Sequence, residues 1–242
     1  MVEKKESPSE ASSSPDQPNL SRRNFIKVVG VFTLTAAGTP LISCDAPPAD
    51  DSEYLPSMGY ILVDSKKCQG CLTCMITCSL VHEGGVNLSL ARLQVVQNPF
   101  AGWPADIEVN QCHQCLDAPC VEACPTGALF VDQENGNVRL VDKDECVGCG
   151  ACLRACPFEI ERPIIAPDAA TGARTSRKCD LCQNAPYHFH PDGGGVNGHQ
   201  ACVAACPVDA IRFTTELPDL SSGEGYDINM RDEDWGKLGF AT

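Results

Sequence analysis

The sequence predicts an α+β fold of short helices and small antiparallel sheets, organised around bound metal rather than a large apolar core. Three observations carry this reading. Of the 17 cysteines, all but one fall into four groups of four with related spacing. Aromatic residues are only 6% of the 242-residue chain, so covalent or metal staples must hold much of the fold. The strand-like apolar stretches are short and sit beside the cysteine groups: Tyr60-Ile61-Leu62-Val63-Asp64, Leu93-Gln94-Val95-Val96, Ile107-Glu108-Val109, Ala128-Leu129-Phe130-Val131, Val138-Arg139-Leu140-Val141 and Ala210-Ile211-Arg212-Phe213.

The third cysteine group is the most specific. Cys146-x2-Cys149-x2-Cys152-x3-Cys156-Pro157 has the spacing of bacterial two-cluster ferredoxins. Three cysteines this close can ligate three irons of one 4Fe–4S cube, while the fourth, before proline, reaches a neighbouring cube. Gly148 and Gly150 let the backbone take positive φ and bring amide N–H groups to sulfur. The first group is Cys68, Cys71, Cys74 and Cys78, with Gly70 in its loop and Ser79 where the usual proline would stand. The second is Cys112, Cys115, Cys120 and Cys124-Pro125, its middle gap lengthened by Leu116-Asp117-Ala118-Pro119. The fourth is split into Cys179 and Cys182, a long insertion, then Cys202 and Cys206-Pro207.

Four such groups are the arithmetic of four 4Fe–4S clusters. Zinc sites usually pair C-x2-C knuckles across longer spacers, which three cysteines in seven residues do not match. Disulfides suit an even cysteine set in an exported protein, but the repeated cubane spacing opposes them.

Ser21-Arg22-Arg23-Asn24-Phe25-Ile26-Lys27 resembles the twin-arginine export motif, and the apolar run from Val28 to Ser43 is short for a membrane span. A membrane anchor is the alternative. Twin-arginine export carries folded proteins, which fits clusters installed before the chain leaves the cytoplasm. Leu41-Ile42-Ser43-Cys44 resembles a lipobox, making Cys44 a candidate for lipidation, and Asp45 behind it resembles an inner-membrane retention signal. Ordinary cleavage near Ala36-Ala37-Gly38 is the competing reading. The expected location is periplasmic, with lipid anchoring to the inner membrane.

Asn135-Gly136 between two apolar stretches is a hairpin signal, which sets the second and third groups side by side. The spacer from Pro157 to Lys178 carries Pro163 and Pro167 and reads as lacking such a turn, leading the chain away. The fourth cysteine of each group is expected to start a short helix directed away from its own cube. The 183–201 insertion, with His188, His190, His199 and Gly193-Gly194-Gly195, reads as a solvated glycine-rich loop, although histidine can ligate zinc or iron. The segment after Thr214 is acidic and without an apolar run. A formal net charge of −14 excludes nucleic acid as a natural partner, and no dinucleotide, P-loop or nucleophile-elbow motif signals catalysis.

From about residue 60 to 214 the chain resembles the four-cluster electron-transfer subunits of molybdopterin and tungstopterin oxidoreductases, the formate dehydrogenase, dimethyl sulfoxide reductase and polysulfide reductase type. The resemblance implies two nested ferredoxin-like modules. One cluster would take Cys68, Cys71, Cys74 and Cys206, and the next Cys78, Cys179, Cys182 and Cys202. The inner pair would take Cys112, Cys115, Cys120 and Cys156, then Cys124, Cys146, Cys149 and Cys152. On this division 1–43 is a signal region and 44–58 a tether. Residues 59–105 and 159–214 form the outer module, 106–158 the inner module and 215–242 an acidic tail. The stretch Cys78-Ser79-Leu80-Val81-His82-Glu83-Gly84 is also similar to ferredoxin subunits of tungsten aldehyde oxidoreductases. The implied role is relay of single electrons, with no catalysis of its own. The implied partners are a molybdenum- or tungsten-type catalytic subunit and a membrane quinone-reactive or cytochrome subunit. A free-standing periplasmic polyferredoxin and a cysteine-rich zinc scaffold are the alternatives.

Overall fold

The structure, a computed structural model, describes residues 55–168, 171–219 and 225–237. The twin arginines, Cys44 and most of the proposed tether lie outside the described residues. Among the described residues, eight strands form four two-stranded antiparallel sheets. β1 (Tyr60–Val63) pairs with β8 (Ile211–Thr214), from Tyr60 opposite Thr214 to Val63 opposite Ile211. β2 (Gln94–Gln97) pairs with β3 (Ile107–Asn110), and β4 (Leu129–Asp132) with β5 (Val138–Val141). β6 (Ile164–Pro167) pairs with β7 (Arg174–Arg177). The β4–β5 ladder is thus local, whereas the β1–β8 ladder joins the two ends of the cysteine-bearing region. This is the α+β, ferredoxin-like class of small antiparallel sheets that the sequence predicts.

Helices fill the gap before each fourth cysteine. These are α1 (Thr73–Glu83), α2 (Pro119–Glu122), α3 (Ala151–Ala155) and α4 (Ala201–Ala204). The expectation that the fourth cysteine starts a helix is therefore corrected: Cys124, Cys156 and Cys206 lie just past a helix end. The prolines explain it, because Pro125, Pro157 and Pro207 disfavour helical backbone at the residue before them. The first group has Ser79 instead, and α1 runs on through Cys78 to Glu83. Ser79 is buried and its hydroxyl donates to the Ile76 carbonyl while accepting from Asn87 N–H. Gly84 ends α1 in the left-handed region at φ 69, its N–H donating to the Leu80 carbonyl.

Two further expectations change. The Pro157–Lys178 spacer does contain a hairpin, β6–β7, closed where Asp168 N–H donates to Ala173 and Gly172 N–H to Asp168. Pro167 is tolerated because it ends its strand, where the missing N–H costs no ladder bond. The β4–β5 turn spans Gln133 to Asn137, longer than a two-residue Asn-Gly turn. Asp132 Oδ1 accepts from Glu134 and Asn135 N–H, which closes this longer loop.

The main core joins Ile61, Val63, Leu93, Val109, Val138, Leu140, Leu181 and Ile211 with the buried cysteines Cys74, Cys78 and Cys202. Each fully buried aliphatic side chain contributes about 1.5–3 kcal/mol, so the core and the cysteines share one interior. Part of the segment read as a tail lies along β1. Tyr226 packs with Tyr60 and Leu62, and Ile228 N–H donates to Val63 while Asp227 Oδ1 accepts from Ser65 N–H. α5 (Glu233–Lys237) follows. Among the described residues no helix is long and apolar enough to cross a membrane.

Candidate metal centre

The sixteen cysteines of the four groups are all free thiols, and the fold gathers them across the chain rather than group by group. Cys124, Cys146, Cys149 and Cys152 line one cavity with Pro125, Ile165 and Ser176. Cys78, Cys179, Cys182 and Cys202 line a second, with Ile61, His82, Arg92 and Leu181.

The remaining eight are located by how they act on one another. Burial, then Cys68, then Cys206 and Cys71 push the Cys74 thiol up to about 12, with Met75 N–H opposing. Burial raises Cys68, with Cys206 and Cys71 adding to it and Gly70 N–H opposing. Cys68, Cys71, Cys74 and Cys206 are therefore close neighbours. Burial pushes Cys115 up to about 12, with Cys112 and Cys120 contributing. Cys120 is pushed up to about 11 by burial, opposed by the Lys178 ammonium and reinforced by Cys112, Cys152 and Cys156. Arg162, its charge disfavoured by burial, feels Cys156, Cys112 and Cys115. Cys156 thus stands with Cys112, Cys115 and Cys120.

The four sets also lie within electrostatic reach of one another, end to end. Burial lifts Cys202 well above a normal thiol, with Cys182, Cys179 and Cys78 adding, and Cys74 of the adjoining set after them. Burial likewise lifts Cys179, and its first electrostatic neighbour is Cys112. Cys120 in turn feels Cys152. The sets form a row, and its two terminal members carry the exposed cysteines Cys71 and Cys149.

Backbone N–H groups meet the sulfur of every fourth cysteine. Arg92 N–H donates to Cys78 at 3.3 Å, Leu129 to Cys124 at 3.3 Å, Arg162 to Cys156 at 3.5 Å and Ala210 to Cys206 at 3.2 Å. Ser176 N–H donates to Cys146 at 3.3 Å, and the Ser176 hydroxyl lies 3.4 Å from Cys152 Sγ. Such donors favour thiolate over thiol. At Cys124 burial raises the thiol, but the Leu129 N–H and Thr126 prevail and hold it below its ordinary value. Gly148, at φ 62, brings its loop against β7: a Cβ there would fall 2.3 Å from the Arg174 carbonyl oxygen.

The donor chemistry fits 4Fe–4S clusters. Four convergent thiols per set and amide donors to sulfur are what a cube requires. The buried thiols raised in this way, such as Cys74, Cys115 and Cys182, favour the protonated form until a metal takes the proton's place.

One feature was not legible from spacing. Asp180, between Cys179 and Cys182, is buried with Arg92 Nη1 on Oδ2 and His82 Nε2 3.0 Å from Oδ1. It also accepts from Cys182 and Asn184 N–H. Burial alone would raise the Asp180 carboxyl, but Arg92 and His82 hold it well below the carboxylate range. Burial alone would lower His82, yet Asp180 and the Cys78 contact bring it to about 9, so it is a cation. His82 Nδ1 donates to the Cys78 carbonyl at 2.8 Å. Glu83, at the end of α1, pairs with Arg177 Nε at 3.1 Å and Arg92 at 3.8 Å. The participants are far apart in sequence, so no motif announces them. The tail contact did carry a signal, since Tyr226, Ile228 and Met230 alternate among polar residues.

Comparison with known proteins places this geometry. Two family models, each described as a 4Fe–4S dicluster domain, match residues 60–125 and 105–216. The protein NrfC homolog of Haemophilus influenzae is 33% identical over 201 residues, covering 80% of this chain and 79% of that relative. The aliphatic sulfonate oxidoreductase polyferredoxin-like subunit of Pyrococcus furiosus is 39% identical over 167 residues, covering 68% of this chain and 82% of the relative. The thiosulfate reductase electron transfer subunit PhsB of Salmonella typhi is 33% identical over 165 residues, covering 66% and 77%. Cysteine sets of this chemistry, on a chain matched over most of its length by such relatives, make it a member of the 4Fe–4S dicluster family and an iron–sulfur electron-transfer subunit of oxidoreductases, itself non-catalytic.

Proposed function

We propose that the chain holds four 4Fe–4S clusters on its sixteen grouped cysteines, in two nested ferredoxin-like modules. In this reading it relays single electrons between a molybdenum- or tungsten-type catalytic subunit and a membrane or soluble redox partner. The observation that carries it is the row of four cysteine sets with exposed Cys71 at one end and Cys149 at the other. When bound, a 4Fe–4S cube supplies a one-electron couple whose potential follows its charge, sulfur hydrogen bonds and burial. The chain's part is to hold the sets in order, donate N–H groups to their sulfurs and exclude water from the two middle ones. Cys182 and Cys202 are buried in one middle set and Cys112 in the other. The exposed termini leave an entry and an exit for partners, and the β1–β8 ladder enclosing the β4–β5 hairpin supports nesting.

The named relatives, subunits of a sulfonate oxidoreductase and a thiosulfate reductase, support a separate catalytic chain. Protein purified anaerobically should carry about sixteen irons and sixteen sulfides and co-purify with a large molybdenum- or tungsten-containing chain. Zinc in place of iron, or about eight irons, would overturn the four-cluster reading. Full iron content without a partner would favour a free carrier.

We also propose export by the twin-arginine route to the periplasm, with Cys44 lipidated. The motif around Arg22 and Arg23 and the Cys44 lipobox support this. Changing both arginines to lysine should leave cluster-loaded protein in the cytoplasm, and normal export of that variant would refute the route. Cys44→Ala should release the chain from membranes when its partner is absent; unchanged membrane association would refute lipid anchoring.

A further inference from the structure

We infer that the loop between Cys182 and Cys202 holds a divalent metal ion of its own, of the zinc class, on His190, Asp192 and His199. One donor atom from each residue lies within 4.8 Å of the others. The two imidazole rings face each other with centroids 3.5 Å apart. Two neutral imidazoles and a carboxylate are the donor set that borderline divalent cations prefer, and no thiol takes part.

The loop backbone brings these residues together. Gly193 N–H donates to the His190 carbonyl at 3.0 Å, and His199 N–H to the Gly193 carbonyl at 2.9 Å. The far half of the loop is thereby folded back onto His190. Asp192 N–H donates to His190 Nδ1 at 3.2 Å, which ties the ring to the residue that carries the carboxylate. Asp192 Oδ2 lies 3.5 Å from the same nitrogen. His199 supplies the third donor beside the pair. Tetrahedral zinc with bonds of about 2.0 Å needs donors roughly 3.3 Å apart, so on binding the facing rings would turn to bring their nitrogens onto the ion. Water would complete the coordination.

The ion would have a structural task. The chain has neither helix nor strand from Cys182 to Gln200, yet both ends of this stretch serve one cavity. Gly194 packs so closely on Cys182 that a Cβ would fall 2.2 Å from its carbonyl oxygen. A metal clip closing this loop would hold Cys182 and Cys202 in register at low entropic cost.

The test uses the full, cluster-loaded chain under anaerobic conditions, washed with chelator, desalted and titrated with Zn²⁺. We expect one zinc per chain, with an X-ray absorption edge fitted by nitrogen and oxygen near about 2.0 Å and no sulfur near about 2.3 Å. His190→Ala and His199→Ala should each weaken binding by more than the roughly 10- to 100-fold that loss of an outer partner costs. Iron content should be unchanged in both, which separates the loop from the cysteine sets. Absence of saturable binding, a sulfur shell around the zinc, or unaltered affinity in both variants would each overturn the assignment.

Discussion

The cavity lined by Cys78, Cys179, Cys182 and Cys202 and the cavity lined by Cys124, Cys146, Cys149 and Cys152 offer the same four donors in different electrical settings. Their backbone chemistry is alike: an N–H reaches the fourth cysteine at 3.3 Å in both, from Arg92 to Cys78 and from Leu129 to Cys124. Their side-chain surroundings differ. The first has His82 and Arg92 in its wall, both tied to Asp180, and three of its four cysteines are buried. The second has no ionisable side chain in its wall besides the cysteines, and Cys149 is exposed. The main chain thus supplies what every cube needs, while buried charge individualises one position. An added electron is opposed by burial and favoured by a nearby cation, so the first site must carry its own compensation. The second can leave compensation to water or to a partner.

The largest expected effect comes from removing the anion that organises the first site. Asp180→Asn keeps the size but leaves buried His82 without its counter-charge and Arg92 with only the longer contact to Glu83, which should cost about 3–5 kcal/mol. Glu145→Gln, an exposed carboxylate beside Cys146 at the second site, should stay within about 0.5 kcal/mol. The readout is the denaturant midpoint, followed anaerobically through loss of visible absorbance. Equal effects of the two substitutions would show that the difference between the cavities has no energetic content.

The same contrast marks what the sequence made legible. The short cysteine spacings fix which thiols meet in a loop, and the apolar runs at Tyr60, Leu129, Val138 and Ile211 foretell β1, β4, β5 and β8. Proline after the fourth cysteine bears on where a helix stops, and the expectation failed only by putting the helix on the wrong side of it. The β6–β7 hairpin was hidden because Pro163 and Pro167 read as exit signals, although a proline at a strand end leaves the ladder intact. The Asp180 network could not be read at all. His82 and Arg92 lie 98 and 88 residues from Asp180 in sequence, and only the closed fold makes them neighbours. The packing of Tyr226 along β1 was masked because its short apolar alternation, broken by Asp227 and Asn229, lies within an acidic segment.

The smallest expected effect concerns the link between the β4–β5 hairpin and the loop that leaves Cys182. Asp132 Oδ2 accepts from Asn135 Nδ2 at 2.9 Å and from Gln183 Nε2 at 2.7 Å, so one carboxylate closes the turn and reaches the residue beside Cys182. Burial opposes its ionisation, but hydrogen bonds from Asn135 and Gln183 together outweigh it and bring the carboxyl below its ordinary value. Its contribution is therefore present above the unfolded value of 3.8 and lost only as pH falls through the lower folded one. Asp132→Asn would place an amide donor opposite two donors, for a loss of about 1 kcal/mol at a site partly open to water. That loss should be constant from about pH 6 to 9, since the carboxylate stays ionised throughout. Gln183→Ala removes the crossing bond alone, and a double-mutant cycle with Asp132→Asn should return a coupling of about 0.5–1 kcal/mol. Strict additivity would mean that the hairpin and the Cys182 loop are energetically independent, and that the two cavities communicate only through the core.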